Sequence, residues 1–173
     1  SPVLLTQLGR MRQGYEVSVD DDTRRVRAGE GGAALAEHAL ENLRTIAAAP
    51  NVEVTALPFS APEIPSLYGG GLGRDVVVQL ERGREVASTF VGTEMVEQIL
   101  RPPGAILDEP TLRGLFAAGI RTLLVGPSTV ELPEQPLGFA GPATTSLGDG
   151  SLAAIVPDPS SDAVLASVVA EDP

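Results

Sequence analysis

The stretch DEPTLRGLFAAGIRTLLV, residues 108–125, shows the fold in miniature. Asp108 stands where a side chain can accept the free amides of a helix's first turn. Residues 111–118 follow as the helix behind it, and Gly119 stops it. Residues 120–125 are then a short apolar run, read as a buried strand. A helix returning at once into an apolar strand is half of an α/β unit.

The same alternation extends in both directions. Ser1-Pro2 with Val3, Leu4, Leu5, Leu8 and Met11 predicts an N-capped helix with proline in its first turn, ended at Gly14. Tyr15, Val17 and Val19 alternate with polar residues, and Asp20-Asp21-Asp22-Thr23 makes a turn before Arg24 to Arg27, which predicts a polar hairpin. Residues 33–49 have helical spacing through Leu35, Ala39, Leu43 and Ile46, with Pro50 as the stop. Residues 52–56 read as a strand, residues 58–73 as irregular because of their prolines and glycines, and residues 75–91 as a helix. Strands are expected at 95–100 and 152–156, a long loop at 127–150 and an amphipathic helix at 160–170. The fold class is therefore α/β: a mostly parallel sheet flanked by helices, each strand apolar along its length and covered on both faces. No repeat or linker divides the chain, so residues 1–173 are expected to form one domain. The opening Ser1-Pro2 in place of Met reads as a domain excised from a longer protein.

Composition removes many functions. The 173 residues include no Cys and one His, so thiol nucleophiles, disulfides, Cys-ligated zinc and two-His metal sites are excluded. With 23 acidic against 12 basic residues the net charge is -11, which argues against nucleic acid and anionic membrane. No apolar stretch approaches the ~20 residues that span a bilayer. All twelve basic residues are Arg and Ala is abundant, the usage expected of a high-GC bacterial genome.

In parallel α/β architecture ligands sit at the carboxyl ends of strands. That rule selects Ser60 and Glu63, Arg101 and Asp108, Ser128 and Glu131, and Asp158. Glu63, Asp108, Glu131 and Asp158 are the candidate catalytic carboxylates, and Arg101 and Ser60 the candidate ligand-binding residues. Each has a plainer reading as a surface group, and Asp108 is read first as a helix cap. His38 lies in the Ala-rich helix, away from any strand end, and reads as a surface or packing residue. The Gly69-Gly70-Gly71-Leu72-Gly73 run lacks the Lys-Ser/Thr of a phosphate loop and reads as a flexible connector. Asp20-Asp21-Asp22 lacks the alternating ligand spacing of a calcium loop.

Between Leu57 and Val125 the order of features resembles the polysaccharide deacetylase (NodB homology) domain. Ser60-Ala61-Pro62-Glu63-Ile64 is similar to that family's Ser-His-Pro-x-Leu. Arg82-Gly83-Arg84-Glu85-Val86 is similar to its Arg-Gly-Arg stretch. Arg101-Pro102-Pro103, with Asp108, Thr111-Leu112 and Ala118-Gly119-Ile120 behind it, resembles the Arg-Pro-Pro-aromatic-Gly motif and its following helix. The opening residues and general layout also resemble family-57 glycoside hydrolases of the same barrel superfamily. The resemblance implies an incomplete or open (β/α) barrel of the glycoside hydrolase/deacetylase type, with the hairpin at residues 15–27 over its open edge. It also shows what is missing. The family's zinc-binding His positions fall on Leu57 and Ala61, and Gly104 and Ala105 replace the aromatic and Gly of the Arg-Pro-Pro motif. The family's Asp-Asp pair would precede Ser1, and residues 152–158 hold no His. Bound metal is what lowers the pKa of water from about 15.7 to about 7 in such enzymes. No metal and no cofactor is therefore expected.

The expectation is a non-catalytic glycan-binding or scaffolding domain of a bacterial envelope or secreted protein. Its partners would be a glycan or an envelope protein, with no nucleic acid and no membrane insertion by this segment. Tyr15, Phe59, Tyr68, Phe90, Phe116 and Phe139 are the only aromatics, which favours protein contact over sugar stacking. The alternative is a metal-independent glycoside hydrolase using paired carboxylates among Glu63, Asp108, Glu131 and Asp158. That reading requires two of them to converge at ~5–5.5 Å or ~6.5–9.5 Å.

Overall fold

A computed structural model describes residues 1–19, 22–103, 107–126, 143–147 and 152–156. In chain order the elements are α1 (Pro2–Met11), β1 (Gly14–Val19), β2 (Asp22–Arg27), α2 (Gly31–Ala47), α3 (Ile64–Gly69), α4 (Gly73–Val91), β3 (Ile99–Leu100), α5 (Glu109–Ala117), β4 (Thr122–Leu124), β5 (Ala143–Leu147) and β6 (Leu152–Val156). The chain forms two compact units: Ser1–Pro62 with Arg74–Glu97, and Glu63–Gly73 with Gln98–Pro173.

In the first unit α1 packs on α2, and the hairpin β1–β2 contacts both helices. The hairpin is antiparallel from Gly14↔Arg27 to Val19↔Asp22, as its alternation predicts, and forms a two-stranded sheet of its own. Ser1 occupies the N-cap position of α1 but makes no side-chain cap bond, and Pro2 takes a first-turn position that needs no amide donor. Ala47, Ala56, Ala87, Val91 and Met95 form a small buried cluster, with Leu5 and Val54 packed against it. Two glycines set the packing distance. A Cβ on Gly9 would run into the Phe90 ring, and one on Gly83 would strike the carbonyl oxygen of Leu57.

Two expectations change here. The strand expected at residues 52–56 joins no described sheet; it lies beside Val96, whose amide donates to the Val54 carbonyl at 2.8 Å. That engagement also shortens the strand expected at 95–100 to Ile99–Leu100. The sequence left the buried face of α2 open. Its buried face is Ala33, Ala36, Leu40 and Ala47, whereas Leu35 and Ile46 are 72% and 58% exposed and Leu43 is also exposed. The helix carries apolar residues around most of its girth, and its buried stripe is three alanines and Leu40.

The second unit holds a four-stranded sheet in the order β3-β4-β6-β5. β3, β4 and β6 are parallel, and β5 closes the edge antiparallel to β6 from Ala143↔Val156 to Leu147↔Leu152. This is a mixed sheet with a parallel core of three strands, and the described strands close no barrel. Leu100, Leu123 and Ala154 are register partners across the three parallel strands, and all are buried. Along β6 burial alternates: Leu152, Ala154 and Val156 are covered while Ala153 is exposed. The expected cover on both faces is therefore not realised there. Part of the loop expected at 127–150 is strand β5, and the helix expected at 160–170 lies outside the described residues.

Within residues 58–73, expected to be irregular, the chain forms α3. Pro65 is tolerated because it falls in the first turn, and Gly71 at φ +74 ends the element as the Leu72 amide bonds back to the Leu67 carbonyl at 2.8 Å. The glycine run is thus an ordered helix stop rather than a flexible connector. α3 packs on α5, where Gly114 leaves the space that the Tyr68 ring fills. α5 ends as expected: Gly119 at φ +91 lets the Ile120 amide reach the Leu115 carbonyl at 3.1 Å.

Candidate functional site

The two candidate carboxylates within the described residues are both helix N-caps of the second unit. Asp108 Oδ1 accepts the Thr111 amide at 2.9 Å, which bears out its reading as a cap. Glu63 Oε2 accepts the Ser66 amide at 2.8 Å at the start of α3. The neighbouring Thr111 hydroxyl and then the Thr111 amide pull the Asp108 carboxyl below its ordinary value. The amide is the firm bond of the two, because Thr111 Oγ1 is buried and makes no hydrogen bond of ordinary geometry. Ser66, through its hydroxyl and then its amide, likewise lowers Glu63. The Asp108 charge is near enough to oppose that shift without reversing it.

The consequence for chemistry is direct. A glycosidase pair needs one carboxyl held protonated near neutral pH. Glu63 and Asp108 are both biased toward the carboxylate, and each already has a backbone amide to hold. Stability should reflect the same bias. A lowered folded-state pKa contributes stability that is complete above the unfolded values, about 3.9 for Asp and about 4.3 for Glu, and is lost as pH falls through the folded ones. Urea titrations from about pH 6 to about pH 3 are therefore expected to show an acid limb. The double variant Glu63→Gln, Asp108→Asn should flatten that limb.

The other candidates have other surroundings or lie outside the described residues. Ser60 belongs to the first unit, where its amide and hydroxyl both donate to Gln79 Oε1, at 2.9 and 3.0 Å. Arg101, in the second unit, is exposed and has no ion pair among the described residues. Glu131, Ser128 and Asp158 lie outside the described residues, as do Gly104 and Ala105. His38 is exposed on α2.

The zinc implied by the deacetylase resemblance does not fit the residues present. Leu57 lines an apolar cavity of about 330 Å³ with Pro2, Leu5, Leu8, Leu43 and Val54. Ala61 is exposed at φ +49, a strained conformation for a residue with a Cβ, and offers no donor atom. Among the described residues no three His, Asp or Glu side chains gather where an ion could sit.

No protein-family model and no curated protein matches the chain. The resemblance to the deacetylase domain accordingly rests on the residues quoted for it.

Two arginines that sequence reasoning did not single out have clear structural tasks. Arg121 donates to the Phe116 carbonyl at 2.8 Å and lies over the Phe116 ring, and Arg44 Nε donates to the Phe90 carbonyl at 2.9 Å. Both place a cation on the last carbonyls of a helix, where the peptide dipoles favour it. Among the described residues no helix is long and apolar enough to cross a membrane.

Proposed function

We propose that this chain is a non-catalytic scaffolding or glycan-binding module of a bacterial envelope or secreted protein, on a deacetylase-like open (β/α) frame without metal ligands. The observation that carries the reading is the engagement of Glu63 and Asp108 by the helices they cap. Groups bound to backbone amides and biased toward the charged form are poor proton donors. The donorless Leu57 and Ala61 support it from the metal side.

Scaffolding is favoured over glycan binding by how the aromatics are occupied. Phe116 lies under Arg121, Phe59 faces Arg82 at 5.9 Å, and Tyr68 fills the space above Gly114. None of these three presents a bare ring of the kind on which a sugar stacks. The large exposed apolar side chains of α2 are aliphatic instead.

The test combines metal analysis of the purified chain with turnover of acetylated chitooligosaccharides and of chromogenic glycosides. The expected result is substoichiometric metal and no hydrolysis above the uncatalysed rate. Stoichiometric zinc with deacetylation overturns the reading, and so does glycoside hydrolysis that Glu63→Gln or Asp108→Asn abolishes.

A further inference from the structure

Strand β2 of the first unit's hairpin carries three arginines in a molecule of net charge -11. Arg24, Arg25 and Arg27 lie on β2, all exposed. Cross-strand register sorts them by face: Arg25 pairs with Glu16 and Arg27 with Gly14, while Arg24 pairs with Val17 on the opposite face. Arg25 and Arg27 therefore project side by side, about 7 Å apart along the strand.

A cavity of about 350 Å³ opens at their base, lined by Gln13, Gly14, Arg25, Val26, Arg27 and Ala28. Gly14 keeps it open. Its φ is +96, and a Cβ there would stand 2.8 Å from the Val26 carbonyl and 3.2 Å from the Ala28 amide, both on the cavity wall. Neither Arg25 nor Arg27 forms an ion pair among the described residues. Glu16, the acid nearest in register, does not line the cavity.

We infer that Arg25, Arg27 and Gln13 form a binding site for a phosphoryl group. Two unpaired guanidinium forks on one face match a doubly charged anion with three free oxygens, whereas a single carboxylate is satisfied by one fork. Gln13 adds an amide donor at the same cavity. Binding would also relieve the repulsion between two like charges held on alternate residues of one strand. The site is independent of Arg101 and of the carboxylates that cap α3 and α5.

The test is calorimetric titration of the intact chain with pyrophosphate and with acetate. A second arm is sedimentation with phosphatidylcholine vesicles that do or do not contain phosphatidic acid, whose phosphomonoester has three free oxygens, which distinguishes a soluble phosphate from a lipid headgroup. Saturable pyrophosphate binding, weakened about tenfold or more by Arg25→Ala and by Arg27→Ala but little changed by Arg24→Ala, supports the site. Vesicle binding with the same dependence supports it and assigns the headgroup as the source. Glu16→Gln should tighten either interaction. No saturable binding in either arm overturns the inference, and so does equal loss in the Arg24 variant, which would mark unspecific charge attraction.

Discussion

Leu123→Ala is expected to lower the unfolding free energy by about 3–4 kcal/mol, read as a shift in the denaturant midpoint. Leu123 sits in the middle strand of the parallel trio, fully buried, with Leu100 and Ala154 as register partners. Truncation removes three heavy atoms from a row whose neighbours are fixed by hydrogen bonds on both sides, so the hole cannot collapse. The loss should appear in amides of β4 and β6 by hydrogen exchange. Arg113→Ala provides the control. It breaks an exposed i,i+4 pair with Glu109 and should change stability by less than about 0.5 kcal/mol. A Leu123 variant as mild as that control would mean that the row is not a packed core.

Gly83→Ala is the second large effect, with an expected net loss of about 2 kcal/mol in thermal or urea unfolding. Alanine favours a helix by about 1 kcal/mol over glycine, so a purely local effect would be stabilising. At Gly83 the added carbon meets the Leu57 carbonyl oxygen, with the Leu57 carbonyl carbon 3.1 Å and the Phe59 amide 3.2 Å away. These are backbone atoms, and the segment is held to α4 by the Phe59 amide on the Gln79 carbonyl at 2.9 Å. It cannot rotate aside as a side chain would. Gly69→Ala is the matched comparison, since nothing lies within 4 Å of its new Cβ. That variant should be neutral or gain up to about 1 kcal/mol. Stabilisation by both substitutions would show that α4 does not press on the 57–59 segment.

What could be read from the sequence was what local chemistry controls. Asp108 and Gly119 mark the ends of α5 by capping and left-handed backbone, neither of which depends on distant residues. β6 was legible from its apolar run. α3 was hidden because Pro65 and the glycines after it look like breakers, and only their positions in the first turn and at the stop make them permissible. With α3 unseen, Glu63 could not be recognised as its cap. The buried face of α2 could not be read for a different reason. Leu35, Ala39, Leu43 and Ile46 share the helical period with Ala33, Ala36, Leu40 and Ala47, and periodicity cannot rank two stripes when side-chain size decides how close a neighbouring helix comes. Strand 52–56 failed because an apolar run specifies neither its partner nor its sheet. Glu131 and Asp158 lie beyond the described residues.

The order in which the two units are threaded has a consequence for synthesis. Residues 63–73 belong with residues 98–173, yet both flanks of α3 belong to the other unit. A ribosome adding about 5–20 residues per second delivers α3 well before α5, β4 and β6. A six-residue helix does not hold alone, so α3 must wait as bare chain while the segments around it condense. Once Glu97 has emerged the earlier unit has all of its sequence, and its completion fastens both ends of the waiting loop. No single proteolytic cut separates the units cleanly: a fragment ending at Glu97 holds the whole earlier unit but carries α3 away with it, and one starting at Gln98 keeps α5 without α3.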